Sequence, residues 1–241
     1  MSIFAKLVLA ATVAPTATTK AARPIAYDSF IREKALYHVV KADLASGLVN
    51  PRAVYKPGLN SSWKLVTGSN ATVGITGTFF APASGYPVGD VLVDGDLKVK
   101  GYRGSAIGID YFGNVKIFDT RYKQEYDWSE FRGGIRGAVR LVSNGKVNPN
   151  PKAQKFRDRR IWGKASRTAV GLDKNGKLIL VATKNSVTLS QLGKAMVSRG
   201  VVDAVSMDGG GSTCLYYRGK MVIGTSRGLS NMLVLQEKAA Y

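Results

Sequence analysis

Residues 188–212 read TLSQLGKAMVSRGVVDAVSMDGGGS and contain a helix signal, a strand signal and a glycine-rich turn in succession. Thr188 and Gln191 have the spacing of a capping box, in which hydroxyl and amide each bind a free backbone N–H at the helix start. Apolar residues recur at helical spacing and predict the buried stripe: Leu189, Leu192 and Met196. Gly200 follows as a residue that stops a helix in the left-handed region. The first half of the stretch therefore predicts one amphipathic helix.

The second half presents a carboxylate at the end of a buried strand. Residues 201–207 are mostly apolar and predict a strand that leads into Asp208, after which come Gly209 to Gly211 and Ser212. Glycine in an ordered element costs about 0.5–1 kcal/mol relative to alanine, so this triplet indicates a sharp turn or a ligand close to the backbone. Exposed N–H groups in such a turn bind phosphate, and the carboxylate suits a base, a nucleophile or a metal ligand. A flexible hairpin loop is the alternative.

Outside this stretch the chain alternates strand signals with two-residue turns. Dipeptides that tolerate positive φ separate β-prone segments at these places: Asp94-Gly95, Gly113-Asn114, Asn144-Gly145 and Asn175-Gly176. Such frequent tight turns predict a largely antiparallel sheet. We therefore expect an α+β fold, with a mainly antiparallel or mixed β-sheet and a few packed helices, in a single domain over residues 27–241. The preceding residues 1–26 predict an N-terminal arm or leader.

The composition is that of a globular chain with a large positive charge. Among 241 residues, 35 Lys and Arg against 16 Asp and Glu give a formal net charge of +19. This excess predicts a polyanion as partner and does not choose between nucleic acid, an anionic cell-wall polymer, an acidic membrane surface and a phosphate-bearing substrate. The densest basic run, residues 155–160, predicts a solvated surface loop.

Cysteine and histidine each occur once, which excludes several kinds of site. Cys214 alone forms no intramolecular disulfide and no cysteine-rich zinc site. His38 alone excludes a site with several histidine ligands, and its place in an apolar run predicts a strand residue with a hydrogen-bonded ring. We expect no cofactor, while a divalent metal requirement stays open.

The first residues allow two interpretations. Lys6 precedes the short apolar stretch of residues 7–14, which small residues follow as in a secretion signal. That stretch is too short to span a bilayer, so no transmembrane segment is expected. An arm over residues 1–26 that docks on a protein partner is the alternative.

Five short blocks of sequence between residues 35 and 235 form a recognisable series. They are Tyr37 to Leu44, Gly77-Thr78-Phe79-Phe80 with Pro87-Val88-Gly89, Arg167-Thr168-Ala169, Ala204 to Thr213, and Arg227-Gly228-Leu229-Ser230-Asn231. In this order the blocks resemble those of the phosphodiester glycosidase family, whose signature is a short apolar strand that ends in Asp-Gly-Gly-Gly-Ser. The first 26 residues lie outside the resemblance.

The resemblance implies hydrolysis of a sugar that is attached through its anomeric carbon to a phosphodiester. A phosphate leaving group is a weak base, so the site mainly has to neutralise its charge and stabilise an oxocarbenium-like sugar. The resemblance implies catalytic roles for Asp208, Arg167 and Asn231, with Asp208 activating water or stabilising the cation. It implies substrate binding by these residues: Gly209, Gly210, Gly211, Ser212, Thr168, Arg227, Ser230, Thr76 and Gly77.

Arginine and aromatic residues complete this expected site. Arg167 and Arg227 are the expected phosphate clamps, because a guanidinium group binds phosphate oxygens through two parallel hydrogen bonds. Phe79 and Phe80 are expected in the core, with one of the pair as a candidate platform for the sugar. Asp90 is a candidate for a second catalytic carboxylate, whereas Asp94 is explained by its turn.

Thr76 departs from the family pattern, because the family's first block has Asn at this position. A hydroxyl lacks the paired donor and acceptor of an amide, so the change is expected to alter specificity or remove activity. This change, the arm and the charge favour an alternative, a non-enzymatic virion or envelope assembly protein that docks through residues 1–26 and its basic surface. An extracytoplasmic or cell-surface enzyme that acts on a cell-wall or surface polymer is favoured over that virion component.

Overall fold

The computed structural model describes residues 23–239, and in that range the chain forms two β-sheets, three α-helices and two short 3₁₀ segments. The helices are α1 (Ser62–Gly68), α2 (Arg159–Trp162) and α3 (Leu189–Val197). The strands are β1 (Ile25–Arg32), β2 (Ala35–Ala42), β3 (Val49–Asn60), β4 (Val73–Thr76), β5 (Val91–Val93), β6 (Asp96–Val99), β7 (Ser105–Asp110), β8 (Val115–Phe118), β9 (Phe131–Ser143), β10 (Lys146–Val147), β11 (Ala165–Asp173), β12 (Leu178–Val187), β13 (Val201–Ser206), β14 (Leu215–Tyr217), β15 (Lys220–Ile223) and β16 (Leu229–Glu237).

The strands divide unequally between the two sheets. The larger sheet contains β1, β2 and β5 to β13, and the smaller sheet contains β3, β4 and β14 to β16. Every strand pairing among the described residues is antiparallel. The prediction of an α+β fold with a mainly antiparallel sheet and few helices is therefore confirmed.

Alternation of side chains along the strands builds a separate core on each face of the larger sheet. In β2, Val40 packs between the two sheets, together with Ile75 of β4 and Leu233 of β16. Its neighbour Val39 packs on the opposite face, in the cluster that contains the buried side of α3. A third cluster holds α1 on the smaller sheet through Leu65. The layers are thus α3, the larger sheet, the smaller sheet and α1. Each fully buried aliphatic side chain in them contributes about 1.5–3 kcal/mol to the free energy of unfolding.

Helix α3 and its capping box are confirmed. The Oγ1 of Thr188 accepts a hydrogen bond from the Gln191 N–H at 3.1 Å, and Gln191 Oε1 accepts one from the Thr188 N–H at 2.9 Å. The predicted stripe residues of α3 are buried against the larger sheet, and Gly200 beyond its end has a φ of +86°. Signals that lie within a few residues of each other were sufficient to define this helix.

Strand β1 begins inside the segment that the sequence assigns to an N-terminal arm. It pairs with β2 along its whole length, so its first two residues belong to the sheet and not to an arm over residues 1–26. Glu33 and Lys34 connect the two strands with φ angles of +49° and +64°. Tight hairpin turns of this kind usually contain Asn or Gly, so neither residue gives a turn signal in the sequence.

The remaining predictions for the N-terminus, over residues 1–22, lie outside the described residues. Within residues 23–239, no helix is long and apolar enough to cross a membrane.

The single histidine and the single cysteine both lie within the fold. His38 lies in β2, and its Nδ1 is 2.7 Å from the hydroxyl of Tyr27, so the predicted strand residue with a hydrogen-bonded ring is confirmed. Cys214 is buried, and burial raises the pKa of its thiol to about 11. A thiol in this state is a structural apolar group and not a nucleophile.

The glycine-rich turn is the place where the chain passes from the larger sheet to the smaller one. Strand β13 lies between β11 and β9, and the chain beyond it reaches β14 through this turn. The Asp208 N–H donates to the carbonyl of Gly77, just beyond the end of β4, at 3.0 Å. The ends of β13 and β4 therefore meet, and they present their next residues at a common edge of the two sheets.

Candidate active site

Asp208 occupies the centre of this edge with its carboxylate almost removed from solvent. Its Oδ1 accepts the N–H of Gly209 at 2.8 Å, and its Oδ2 lies 3.4 Å from Nη2 of Arg227. Burial raises the pKa of the Asp208 carboxyl above its ordinary value. A hydrogen bond from Ser212, the N–H of Gly209 and the charges of Arg227 and Arg167 oppose that rise in pKa. A carboxyl with a raised pKa next to a cation is a frequent feature of catalytic sites.

The three glycines form a tight turn with a short 3₁₀ segment, as the sequence indicates. A Cβ on Gly209 would lie 2.5 Å from the carbonyl oxygen of Ser166, so a larger residue does not fit there. Gly210 has a φ of +58°, which favours glycine. Among the hydrogen bonds of the described residues, none uses the N–H of Gly210 or of Gly211. These two groups, at the start of the 3₁₀ segment, are available donors.

Arg227 is fixed at the same place by three different contacts. Its Nε donates to Ser212 Oγ at 2.7 Å, its Nη2 lies near Asp208, and its guanidinium carbon lies 5.1 Å from the ring centroid of Phe80. About a third of the side chain, 36%, stays exposed. The guanidinium group is therefore oriented by its neighbours and still accessible to an anion.

A cavity of about 390 Å³ opens in front of Asp208 and Arg227. Its walls combine aromatic and apolar side chains with arginines and two carboxylates, and they are formed by Phe79, Phe80, Ala81, Pro82, Val88, Arg103, Phe156, Asp158, Arg160, Ile161, Ala165, Arg167, Asp208, Gly209, Gly210, Gly211 and Arg227. Apolar walls with a few convergent polar groups are typical of small-molecule sites.

Half of the residues expected at the site line this cavity, and half lie beneath its wall. Those that line it are Asp208, Arg167, Arg227, Gly209, Gly210 and Gly211. Those that do not are Ser212, Thr168, Asn231, Ser230, Thr76 and Gly77, and all of these are buried. In the second group, Ser212, Thr168 and Gly77 hydrogen-bond to Arg227 or Asp208, and the other three contact these residues or one another, so we propose positioning roles for this group in place of the expected substrate contact.

Three of these buried contacts hold Asp208 and the chain opposite it. Thr168 Oγ1 donates to the Asp208 carbonyl at 2.6 Å. Asn231 Oδ1 accepts the N–H of Thr78 at 2.7 Å, and its Nδ2 lies 3.2 Å from Ser230 Oγ. Asn231, which the sequence places among the catalytic residues, thus uses its amide to join β16 to the end of β4.

Arg167 differs most from its expected role as a phosphate clamp. Its guanidinium group donates to the backbone carbonyls of Ile161, at 3.0 Å, and of Gly163. Burial lowers the pKa of Arg167, and the nearby Asp208 carboxylate opposes that shift. The side chain therefore fastens the α2 segment to the wall of the cavity and adds positive charge close to Asp208.

The hydroxyl of Thr76 is fully engaged within the fold. It donates to the Ser212 carbonyl at 2.6 Å and accepts the N–H of Cys214 at 2.9 Å, so it supplies both a donor and an acceptor through one atom. Thr76 does not line the cavity. The Thr76 hydroxyl thus supports the end of the glycine-rich turn from beneath the cavity wall.

Replacing Thr76 by Val is expected to lower the free energy of unfolding by about 1–3 kcal/mol, because a buried carbonyl and a buried N–H lose their partner. Chemical denaturation of both proteins measures this difference. Thr213→Val is the matched control, since Thr213 is equally buried and its hydroxyl has no hydrogen-bond partner. Equal destabilisation by the two substitutions would contradict the role assigned to Thr76.

The acidic residues are placed differently from the expectation for a second carboxylate. Asp90 is buried away from the cavity and accepts hydrogen bonds from Gly101 N–H at 2.7 Å and Trp128 Nε1 at 3.0 Å, with Arg136 as its ion-pair partner. Asp94 lies in its predicted turn with a φ of +50°. Asp90 is therefore a structural carboxylate. The second carboxylate that lines the cavity is Asp158.

Asp158 lies at the N-terminus of α2 and is paired with Arg160. Its Oδ1 accepts the N–H of Arg160 at 2.9 Å, and both carboxylate oxygens contact the Arg160 guanidinium group. The side-chain hydrogen bonds from Arg160 lower the pKa of Asp158. The two carboxylates of the cavity thus have pKa values shifted in opposite directions.

Several cavity residues have no counterpart among the residues selected from the sequence. Phe156, Asp158 and Arg160 belong to the basic run that predicts a solvated loop. The prediction was wrong for Phe156, which is buried, whereas the side chains of Asp158 and Arg160 are 41% and 80% exposed and also line the cavity. Arg103 lines the cavity near the rings of Phe156 and Tyr122. The sequence contains one signal for Asp158: this residue comes just before the helical turn α2, and Asp is a favoured N-cap residue.

Metal ligation is not indicated by the described residues. Within residues 23–239, no three His, Cys, Asp or Glu side chains lie close enough together to hold a metal ion. The donors around the cavity are mostly arginines, which suit an anion.

Known proteins share this fold and this sequence pattern. The family model described as phosphodiester glycosidase matches residues 69–236. The bovine (Bos taurus) N-acetylglucosamine-1-phosphodiester alpha-N-acetylglucosaminidase is 26% identical over 178 residues, which are 64% of this chain and 32% of the relative. The chain therefore spans about a third of the length of this curated relative.

Two solved structures have a similar fold. The catalytic domain of the zebrafish N-acetylglucosamine-1-phosphodiester alpha-N-acetylglucosaminidase superposes with a TM-score of 0.73 at 21% identity, over 89% of this chain and 82% of that one. A hypothetical protein from Synechocystis superposes with a TM-score of 0.77 at 15% identity, over 88% of this chain and 62% of that one. Because the family model covers more than half of the sequence, the chain belongs to the phosphodiester glycosidase family.

Proposed function

We propose that this protein hydrolyses the bond between the anomeric carbon of a sugar and a phosphodiester. The observation that carries the proposal is the convergence of Asp208 and the accessible guanidinium group of Arg227 on one aromatic-lined cavity. A phosphodiester glycosidase needs a carboxylate at the reacting carbon and a cation at the leaving phosphate. Both requirements are met by neighbouring groups at the same edge of the two sheets.

The cavity offers separate places for the sugar and the phosphate. The rings of Phe79, Phe80 and Phe156 provide apolar surface on which a sugar ring packs. Arg227 and the N–H groups of Gly210 and Gly211 provide donors for phosphate oxygens. Since these donors lie next to Asp208, a phosphate bound there places the anomeric carbon beside the carboxylate.

Asp208 acts on the water that attacks the anomeric carbon. As the carbon–oxygen bond to phosphate breaks, its electrons leave with the phosphate oxygen, and the product is a phosphomonoester that needs no proton at that oxygen. The attacking water gives a proton to the Asp208 carboxylate and forms the new hydroxyl on the sugar. A raised pKa makes Asp208 a better proton acceptor than an ordinary carboxylate.

Asp158 is the second carboxylate of the cavity and forms an ion pair with Arg160. Its lowered pKa keeps it ionised while Asp208 exchanges a proton, and carboxylates with pKa values shifted in opposite directions divide such roles.

The substrate class follows from the family and from the charge. The bovine relative is named for an N-acetylglucosamine-1-phosphodiester, and we propose the same type of linkage here. The excess of basic residues steers a phosphate-bearing glycan towards the protein. An extracytoplasmic location and a wall or surface polymer as substrate stay predictions. The assembly alternative depends on residues 1–26, of which the first 22 lie outside the described part of the chain.

Purified protein tests the proposal with three sets of small substrates. The first set contains sugar-1-phosphodiesters, including that of N-acetylglucosamine; the second contains nitrophenyl glycosides without phosphate; the third contains phosphodiesters without sugar. We expect release of sugar from the first set alone, because only these compounds engage both Asp208 and Arg227. Turnover of the second or third set with none of the first would contradict the proposal.

A further inference from the structure

A second depression continues from the cavity on the far side of Arg227. It is an open trough of about 540 Å³ between the segment that leads into α1 and the segment between β15 and β16. Arg227 is the one residue that lines both the cavity and the trough, whereas Asp208 lines only the cavity. The trough therefore begins where the leaving phosphate is placed and extends away from the reacting carbon.

The partition between the two depressions is held by backbone contacts. The N–H of Ser226, in the trough wall, donates to the carbonyl of Gly211, in the cavity wall, at 2.9 Å. Gly228 lies close to the backbone of Leu59 on the other side of the trough, since a Cβ there would come within 2.9 Å of the Leu59 carbonyl carbon. The trough is thus a fixed extension of the site and not a gap beside a loose loop.

The lining of the trough has the chemistry of a site for neutral sugar. Arg227 is the only charged residue among its lining residues, although the chain has a net charge of +19. The other polar groups are the amide oxygen of Asn60, whose Nδ2 donates to backbone carbonyls, and the hydroxyls of Ser61, Ser62, Thr225 and Ser226, of which Ser62 is buried and lies 3.4 Å from the Thr225 hydroxyl. Hydroxyls both donate and accept, as the hydroxyl groups of a sugar require. A polyanion has no further cation to bind along this surface.

Trp63 supplies the aromatic surface that such a site needs. Its ring packs edge-on against Tyr216, with 5.8 Å between ring centroids and an interplanar angle of 81°. This contact fixes the indole in the trough wall while 47% of the residue stays exposed. A large, rigid, exposed aromatic group beside hydroxyls packs against the apolar face of a sugar at little loss of side-chain entropy.

We propose that the trough binds uncharged sugar units on the far side of the phosphodiester, with Trp63 as their stacking platform. The proposal rests on the proposed function for the position of the phosphate at Arg227. It identifies the group beyond the phosphate as a neutral glycan and makes Trp63 a specificity-determining residue for that group.

Binding is measured first, because it requires no hydrolysis. Saturation-transfer NMR with the wild-type protein and four neutral trisaccharides, namely maltotriose, mannotriose, cellotriose and tri-N-acetylchitotriose, is expected to show transfer from the protein to at least one of them. Trp63→Ala is expected to lower that signal at least fivefold. Phe112→Ala is the control, since Phe112 is a 93% exposed aromatic residue at the β7–β8 hairpin and lines neither depression. Absence of transfer to every trisaccharide, or equal transfer in all three proteins, would overturn the proposal.

Kinetics then test the same residue in turnover. Two phosphodiesters share one sugar-1-phosphate and differ beyond it, one with a methyl group and one with the trisaccharide that binds best. Trp63→Ala is expected to lower kcat/KM at least tenfold for the second and less than twofold for the first. An equal loss with both substrates would overturn the role of Trp63 and leave the proposed hydrolysis intact. If neither substrate is hydrolysed by any of the proteins, the proposed function fails, and the NMR result still decides whether the trough binds sugar.

Discussion

Replacing Asp208 by Asn is expected to lower kcat at least about a thousandfold, because the amide neither accepts the proton of the attacking water nor carries negative charge beside the anomeric carbon. Asn keeps the size of the side chain and an acceptor for the Gly209 N–H, so the fold is expected to persist. Steady-state kinetics on a sugar-1-phosphodiester measure the loss. Asp96→Asn, at an exposed carboxylate on β6 that pairs with Lys98, is the control and is expected to retain wild-type kcat. Wild-type turnover by Asp208→Asn would remove Asp208 from the mechanism.

The same substitution has an expected effect on the pH dependence of stability. Because burial raises the pKa of Asp208 in the folded protein, the folded state holds its proton more tightly than the unfolded state does. The carboxyl then destabilises the fold as pH rises from the unfolded-state pKa, about 3.9, through the raised folded-state pKa. Asp208→Asn removes this destabilisation. The difference in free energy of unfolding, variant minus wild type, is therefore expected to increase as pH rises between these two pKa values. A decrease over the same range would contradict the raised pKa.

Replacing Arg227 by Lys is expected to lower kcat/KM about a hundredfold, although the charge is retained. The ammonium group of Lys cannot keep the contact to Ser212 and the position over Phe80 while it binds two phosphate oxygens. Arg199→Lys is a closely matched control. Arg199 is also 36% exposed, pairs with Asp28 at 2.7 Å and lies 5.0 Å from the centroid of the Phe30 ring. It is remote from the cavity, so its substitution is expected to leave kcat/KM unchanged. Equal losses in the two variants would show that the arginine contacts matter only for the fold.

The parts of the fold that the sequence predicts are those defined by local signals. The capping box at Thr188, the buried strand before Asp208 and the Asn144-Gly145 turn depend on neighbouring residues, and all three occur in the structure. The β1–β2 hairpin was missed because Glu33 and Lys34 adopt positive φ without being Gly or Asn. Here the pairing of two whole strands determines the conformation of the turn, and no local preference reports it.

The residues of the candidate site likewise divide into those with a sequence signal and those without one. Asp208 and Arg227 carry family motifs and line the cavity, whereas Arg103 and Phe156 approach it from segments without a motif. Arg167 shows why the role of a motif residue cannot be predicted from sequence alone, because a motif gives the residue type and not the partners of its side chain. The carbonyls that its guanidinium group binds belong to Ile161 and Gly163, in a segment whose path is set by the fold.

Hydrolysis of a sugar-1-phosphodiester in water enriched with ¹⁸O distinguishes attack on the anomeric carbon, which we propose, from attack on phosphorus. Because the released sugar exchanges its anomeric oxygen with water, the phosphomonoester is the product to examine by mass spectrometry or ³¹P NMR. Attack on the anomeric carbon beside Asp208 predicts a phosphomonoester without ¹⁸O, since the bridging oxygen stays with phosphorus. A phosphomonoester with one ¹⁸O atom would show attack on phosphorus, and the protein would then be a phosphodiesterase and not a glycosidase.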